Sequence, residues 1–322
     1  MTTPIAPPQP LAEPRVLLVD THSLFVRAFF ALPEMTTSAG LPTSALYGFS
    51  VLLLKLLREE RPLGVAFALD AGRPTFRHAR SPTYKAQRAP LARPLRAQLD
   101  ILPRLLEAMG APRFVAPGFE ADDVLATLAR ELSTAGTPAR VVSGDHDLFQ
   151  VVEQRVDVLF VGARGQPPKL YDLPAVTSRY GLRPEQLPAL AALLGDATDN
   201  LPKVAGVGER TAQALVARFG DARGLLAHLD EITPARVRTA LAQAADQIRE
   251  TEELARLRRD VPLPDGPRHA PIDRQHLLQT RALFEELEFK SLAKRVEDLL
   301  SQGPRGASED DSPGGAEEPA RA

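Results

Sequence analysis

The chain contains no cysteine and no tryptophan. The first absence excludes disulfides, zinc–thiolate sites and cysteine nucleophiles, and it fits a reducing compartment such as the cytoplasm. Aromatic residues are scarce, at 5%. No apolar run approaches the roughly 20 residues that cross a bilayer. The N-terminus, "MTTPIAPPQPLAEP", has neither the basic start nor the apolar stretch of a signal peptide. Excess charge of one sign is also missing: 39 Lys and Arg face 41 Asp and Glu, for a net charge of −2 and a pI near 6.3. The overall basic balance of many nucleic-acid-binding chains is therefore absent. With 322 residues, 44% of them hydrophobic, the chain can still build one large domain or two modest ones.

Charge is unevenly placed. Between residues 73 and 104 stand Arg73, Arg77, Arg80, Lys85, Arg88, Arg93, Arg96 and Arg104, against Asp100 alone. A run of charge is ordinarily a solvated face, but one so lopsided, with Phe76 and Tyr84 interleaved, favours a phosphate-binding surface. Residues 1–14 are Pro-rich, and 301–322 form a Gly/Pro/Ser/acidic tail; both compositions predict disorder. In the first half, the runs 15–20, 64–70, 113–118, 140–145 and 155–162 read as strands, and 43–60, 94–110 and 121–135 as helices. That rhythm predicts an α/β fold with a mostly parallel sheet covered by helices. After about residue 172 the pattern is helical, at 172–180, 184–195, 208–219, 222–229, 233–256, 274–286 and 290–300. The expected division is an α/β catalytic domain over 15–171 and a helical region over 172–300.

The acids fall at the predicted strand ends. Asp20 closes the first strand and Asp70 the second; Glu120, Asp122 and Asp123 open the helix after the third; Asp145 and Asp147 follow the fourth. Open α/β sheets place their sites at these carboxyl ends. Asp196 and Asp199 form a further pair that shares a face if their segment is helical. One such acid is more often a helix cap than a ligand, and Asp172, Asp221 and Asp273 read as caps. Nine acids converging on one sheet edge exceed what capping explains, and their mutual repulsion calls for a cation. Ligands that are all carboxylates suit a hard ion, Mg²⁺ or Mn²⁺. Two such ions make a site for phosphoryl transfer to water. His146, between two of the acids, would point the other way on an extended chain and is not expected to ligate. Beside Asp199, "NLPKVAGVGERTA" (200–212) presents a Gly turn at a helix start. Alone this is a simple turn; next to an acidic pair it suits a DNA backbone.

"VLLVD", "FALDAGRPTFRHARSPTYKAQR", "GFEADDVLATLA", "SGDHDLFQ", "YGLRPEQ" and "GDATDNLPKVAGVGERTA" occur in this order. Together they resemble the 5′ nuclease domain of bacterial DNA polymerase I, in the flap-endonuclease superfamily, over nearly the whole ordered chain. The resemblance implies a PIN-like core, a helical arch at about 73–104 and a helix-three-turn-helix DNA-binding element, with its helix-hairpin-helix-type motif at about 196–220. It implies one metal group of Asp20, Asp70, Glu120 and Asp122, a second of Asp145, Asp147, Asp196 and Asp199, and Asp123 in or near the first. It implies that Lys85 and Arg88 approach the scissile phosphate. Arg73, Arg77, Tyr84, Lys203, Gly206, Gly208, Arg210 and Thr211 are the expected DNA contacts, with K⁺ at the hairpin in some members. Departures from the family pattern stand at Thr21, Val26, Phe30, His146 and Lys203; none removes an expected ligand.

The expected activity is a two-metal 5′→3′ exonuclease and flap endonuclease. Its substrate would be flapped, nicked or gapped DNA, including RNA–DNA primer junctions. The chain would act as a cytoplasmic monomer beside a separate DNA polymerase, in primer removal and repair. The competing readings are a catalytically weak junction-binding protein, against which the intact acid set speaks, a PIN-type ribonuclease, and a small-molecule phosphatase. The last two have no use for the basic arch and the hairpin.

Overall fold

The computed structural model of the chain describes residues 13–162 and 166–301. Apart from residues 13, 14 and 301, the two segments expected to be disordered lie outside the described residues. Six strands, β1 (Val16–Asp20), β2 (Gly64–Leu69), β3 (Arg113–Val115), β4 (Ala139–Ser143), β5 (Val156–Phe160) and β6 (Lys169–Tyr171), form one sheet. The spatial order is β3-β2-β1-β4-β5-β6. The first five strands are parallel and β6 pairs antiparallel to β5. All five residues of β1 are buried, because helices cover both faces; such a strand is apolar almost without interruption, as "VLLVD" is.

Helices α1 (Thr21–Ala31) and α2 (Ser44–Glu60) join β1 to β2. Helices α3 (Phe76–Arg80), α4 (Arg93–Leu99) and α5 (Leu102–Ala108) join β2 to β3, and α6 (Ala121–Thr134) joins β3 to β4. Between β4 and β5 there is only a 3₁₀ turn, Asp147–Val151. The helical remainder comprises α7 (Leu173–Tyr180), α8 (Leu187–Leu194), α9 (Glu209–Phe219), α10 (Ala222–Ala227), α11 (Ala235–Gln243), α12 (Ala245–Ala255), α13 (Arg274–Glu286) and α14 (Lys290–Ser301). No described helix is long and apolar enough to cross a membrane.

From β1 the chain lays β2 and β3 on one side, then β4 and β5 on the other. The strand order reverses at the β1–β4 boundary, which opens a cleft beyond the carboxyl ends of those strands. The fold thus puts Asp20 and Asp145 at the one edge where an open sheet can hold a ligand.

Four differences from the sequence reading have local causes. Helix α1 was not anticipated, because "THSLFVRAFFA" is apolar on most sides and shows little periodicity; Asp20 caps it, accepting from the Ser23 N–H at 3.3 Å. Strand β6 is only three residues long. The helix expected over 94–110 breaks at Asp100–Ile101, just before Pro103 in the first turn of α5. The helix expected over 233–256 is two helices that meet at Ala244.

The helical half is also not one unit. Helices α8 to α12 enclose their own core around Leu193, Leu241 and Ile248. Helices α13 and α14 instead return to the sheet and share the core of Phe49 and Phe67 through Phe284 and Leu292. Phe284 is 1% exposed, so Phe284→Ala should lower the stability of the α/β domain by about 3–5 kcal/mol. Urea denaturation followed by circular dichroism will show this as an earlier main transition. An unmoved transition would mean that α13 docks without supporting the sheet.

Candidate active site

Each acid at the cleft is held by its own backbone surroundings. The second carboxylate oxygen of Asp20 accepts from the Ser143 hydroxyl at the end of β4. Asp70 follows β2; its Oδ1 accepts from the Ala121 N–H at 2.8 Å, at the start of α6, and its own N–H donates to His22 Nδ1 at 3.0 Å. Glu120 is the N-cap of α6, and Asp122 lies in its first turn. The Asp145 N–H donates to Ser143 Oγ at 2.9 Å, and Asp145 Oδ1 accepts from the Asp147 N–H at 2.9 Å. Strand ends and one helix N-terminus therefore bring Asp20, Asp70, Glu120, Asp122 and Asp145 around a cleft of about 760 Å³.

Crowding shows in their proton affinities. Burial, reinforced by Asp70 and Asp145, pushes Asp20 up to about 7, despite the Ser143 hydrogen bond. Burial and the charges of Asp20 and Asp145 raise Asp122 well above the carboxylate range. Burial, then Asp145, Asp199 and Asp196, do the same to Asp147. This electrostatic chain links the two expected acid groups through Asp145.

Positive side chains occupy part of the acidic edge. Lys85 Nζ lies 3.0 Å from Glu120 Oε2 and 3.4 Å from Asp199 Oδ2. Burial opposes its charge, but Glu120, Asp199 and Asp122 outweigh burial and raise its pKa. Arg88 lies 2.9 Å from Asp199 Oδ1. The Tyr84 hydroxyl shares its proton between Asp199 Oδ2 at 2.7 Å and Glu120 Oε2 at 3.0 Å. Among the described residues, no three acidic or histidine side chains are gathered as they stand into a group able to hold a metal ion. Glu120 and Asp199 are drawn onto Tyr84 and Lys85, and Asp196 accepts from the Thr198 and Asp199 N–H groups of its own turn. The donor set nonetheless fits a divalent cation. Every donor is a hard oxygen, and a bound cation would stabilise the ionised form of carboxyl groups that otherwise hold their protons.

Three expectations change here. Asp123 does not face the cleft. It is fully buried, and its oxygens accept two hydrogen bonds from Arg77, at 2.6 and 2.8 Å, and one each from the Glu120 and Arg258 N–H groups. No lone pair is left for an ion. Arg77, expected at DNA, is 1% exposed; besides Asp123 it reaches the carbonyls of Leu254 and Arg256. Tyr84, 2% exposed, is likewise turned inward. Arg73 stays at the cleft, donating to the Lys85 carbonyl at 2.8 Å. His146 turns away, as expected, but for another reason: its backbone is helical rather than extended, and its ring stacks on Phe160 at 4.3 Å.

The segment 196–201 is a turn closed by a bridge between Asp196 and Leu201, not a helix. It is bound to the basic segment that follows α3. Gln87 donates to the carbonyls of Ala197 and Thr198 at 2.9 and 3.1 Å, and Asn200 donates to that of Thr83 at 2.8 Å. The sequence reading missed Gln87, Asn200 and the cleft histidines His22 and His78, since polar residues without charge patterning give no signal. Beyond the turn, Gly206 has a left-handed φ of 77°. Gly208 caps α9 in an ordinary conformation, and a Cβ there would meet no atom within 4 Å. Neither strain nor packing requires glycine at 208. Its bareness leaves the N-terminus of α9 open, beside exposed Lys203 and Arg210 and half-exposed Thr211.

The raised carboxyl groups set a pH dependence. Asp20 binds its proton more tightly folded than unfolded, so its contribution to stability is complete below about pH 4 and is lost as pH rises towards 7. Asp122 and Asp147 act in the same direction. In EDTA the melting temperature should fall between pH 5 and pH 7.5, and Asp20→Asn should flatten that fall. A melting temperature that rises over this range in EDTA would contradict the electrostatics.

Residues 15–181 match the 5′-3′ exonuclease N-terminal resolvase-like domain, and residues 182–276 match the 5′-3′ exonuclease C-terminal SAM fold. The chain is 41% identical over 306 residues to DNA polymerase I of Mycobacterium bovis, covering 94% of this chain and 33% of that protein. It is 44% identical over 287 residues to the thermostable DNA polymerase I of Thermus thermophilus, covering 88% of this chain and 33% of that protein. The chain thus spans about a third of the length of the curated relatives it matches. Among solved structures, the bacteriophage T5 flap endonuclease in complex with DNA and metal ions superposes with a TM-score of 0.63. The superposition covers 89% of this chain and all of the other, at 17% identity, a likeness of fold. Since both matched domains adjoin with the acids at the sheet's switch point, the chain belongs to the 5′-3′ exonuclease family.

Proposed function

We propose that this chain hydrolyses DNA phosphodiester bonds next to unpaired 5′ strands, as a divalent-metal-dependent 5′→3′ exonuclease and flap endonuclease. The observation that carries the reading is the pairing of a carboxylate cleft at the switch point with a basic arch and an open Gly hairpin. A phosphatase of small molecules needs neither of the last two. The metal ions in the T5 flap endonuclease structure support the cation requirement.

Asp20, Asp70, Glu120 and Asp122 would hold one ion, and Asp145, Asp147, Asp196 and Asp199 the other, as Mg²⁺ or Mn²⁺. When bound, such ions lower the pKa of a water and stabilise charge on the leaving oxygen. Lys85 and Arg88 bind the scissile phosphate. They now rest on Glu120 and Asp199 and exchange carboxylate oxygens for phosphate oxygens as the strand enters. Hydrolysis joins a water oxygen to phosphorus and breaks one P–O bond, and the departing oxygen takes up a proton. Asp123 and Arg77 position the arch and α6 and do not touch the strand. The Gly206–Gly208 hairpin, with Lys203, Arg210 and Thr211, grips the backbone of the adjoining duplex through N–H groups at the start of α9, directly or through K⁺. The substrates of this reading are flapped, nicked or gapped DNA and RNA–DNA primer junctions. The protein acts as a monomer, in primer removal and repair alongside a DNA polymerase. The domain assignment follows: residues 15–171 with the returning α13 and α14 form the catalytic body, and α8 to α12 carry the duplex contacts.

A duplex with a 5′-labelled flap should lose its label in Mg²⁺ or Mn²⁺ and keep it in EDTA. Asp145→Ala should reduce cleavage more than about a hundredfold while binding persists. Tight binding without cleavage in any metal would favour a junction-binding protein instead. Gly208→Ala separates duplex contact from stability: its melting temperature should fall only slightly, since Ala is a poorer N-cap than Gly, while affinity for the duplex falls about tenfold. An unchanged affinity would remove the hairpin from the interface.

A further inference from the structure

Past Ala255, the last residue of α12, the chain becomes extended at Arg256, with φ −71° and ψ 124°. Its backbone groups are met by buried side chains of the catalytic body, on two edges in alternation. On one edge, Arg77 donates to the carbonyls of Leu254 and Arg256 at 2.7 and 3.2 Å, and Asp123 accepts from the Arg258 N–H at 2.9 Å. On the other, Gln150 donates to the Ala255 carbonyl at 3.1 Å and accepts from the Leu257 N–H at 2.9 Å. The segment is held much as a central strand is held in a sheet, with side chains in place of the neighbouring strands.

Each edge leads back to one of the two acid groups. Asp123 follows Asp122 in the first turn of α6 and accepts from the Glu120 N–H at 3.1 Å. Gln150 lies in the five-residue 3₁₀ turn that begins at Asp147. A 3₁₀ turn this short has poor hydrogen-bond geometry of its own, so its place depends on what fastens it. Phe149 fastens it to the sheet, stacking on Tyr171 at 4.3 Å. Gln150, 5% exposed, fastens it to the segment after α12. A buried amide is costly unless its donor and acceptor are met, and here each end is met by a backbone group.

We infer that Gln150 is a positioning residue for the two-metal site: by clasping residues 255–257 it sets the Asp147 turn at a fixed distance from the start of α6. The inference rests on the nuclease reading and adds to it the contact that sets the spacing of the two ions. Two-metal hydrolysis requires the ions about 3.5–4 Å apart. An Asp147 turn free to drift would hold the second ion weakly and out of line with the first. Because residues 255–258 continue α12, which shares the core of α8 to α12 through Ile248, the spacing also depends on the helices that carry the duplex contacts.

The test titrates Mn²⁺ into wild type, Gln150→Met and Thr127→Val without DNA, followed by calorimetry and electron paramagnetic resonance. Met matches Gln in length and offers the backbone no hydrogen bond. Val at 127 leaves the Val261 N–H, which donates to Thr127 Oγ1 at 3.1 Å further along the same segment, without its acceptor. Both variants should melt earlier than wild type. Only Gln150→Met should bind the second Mn²⁺ about 10- to 100-fold more weakly and lose the spectrum of an exchange-coupled ion pair. On a 5′-flap duplex its kcat should fall by a similar factor with KM unchanged. An earlier melt with wild-type Mn²⁺ binding and wild-type kcat would make Gln150 a stability residue and overturn the proposal. An equal loss of the second ion in Thr127→Val would overturn it too, as would a wild type that binds a single Mn²⁺. Gln150→Asn, one methylene too short to meet both backbone groups, carries the same measurements if Gln150→Met does not fold. If a Gln150-dependent ion pair forms and no DNA is cut, the positioning role stands and the nuclease reading fails. If Gln150→Met cuts at the wild-type rate, the reverse holds.

Discussion

The burial of carboxyl groups beside one another is the constraint on which this molecule depends. Asp20, Asp122 and Asp147 are buried beside other acids, and each binds its proton far more tightly than a free carboxyl group does. A fold assembles such a group only if its topology forces the acids together and protons or a cation compensate them. The topology is the reversal of strand order between β1 and β4, which leaves the ends of those strands facing a shared cleft. The compensation comes from two sources. Lys85 and Arg88 neutralise Glu120 and Asp199 from within, and a divalent ion would neutralise the rest.

The internal cations also fix the basic segment over 84–88, where the family resemblance expects an arch. Lys85, Arg88, Tyr84 and Gln87 all end on acids or carbonyls of Glu120 and of the turn over 196–201. The arch is therefore tied to the acidic edge by the same charges that a phosphate would attract. Arg77 serves a different purpose. Its buried pairing with Asp123, together with the carbonyls of Leu254 and Arg256, joins α3, α6 and the end of α12. Buried ion pairs are weak sources of net stability but costly to break from one side. This pair fixes the geometry of the arch base relative to Glu120.

The helical region divides accordingly. The turn over 196–201 holds Asp199 against Lys85 and Arg88, and a few residues later Gly208 leaves the start of α9 open to solvent. Asp199 and the open start of α9 are thus separated by a short segment of chain. Helices α13 and α14 close the first core, so the sheet that positions the acids depends on the far end of the chain.

The sequence alone determined the α/β class, most strands, and the acids at the strand ends. These are local properties: an apolar run reads as a buried strand, and an acid at its end is visible in one dimension. The basic run over 73–104 and the Gly turn before α9 were also visible there, but Lys85 and Arg88 stood out from that run only through the family resemblance. Helix α1 stayed hidden because apolar residues on most of its sides erase the 3.6-residue period, and β6 because three residues carry too little pattern. The sequence could not tell which acid faces the cleft and which is satisfied elsewhere. Asp122 and Asp123 are neighbours in the chain, yet one lies at the cleft and the other is sealed by Arg77, 46 residues away, and by the Arg258 N–H, 135 residues away. Only the tertiary structure decided that, since a carboxylate's role depends on which donors reach it through space.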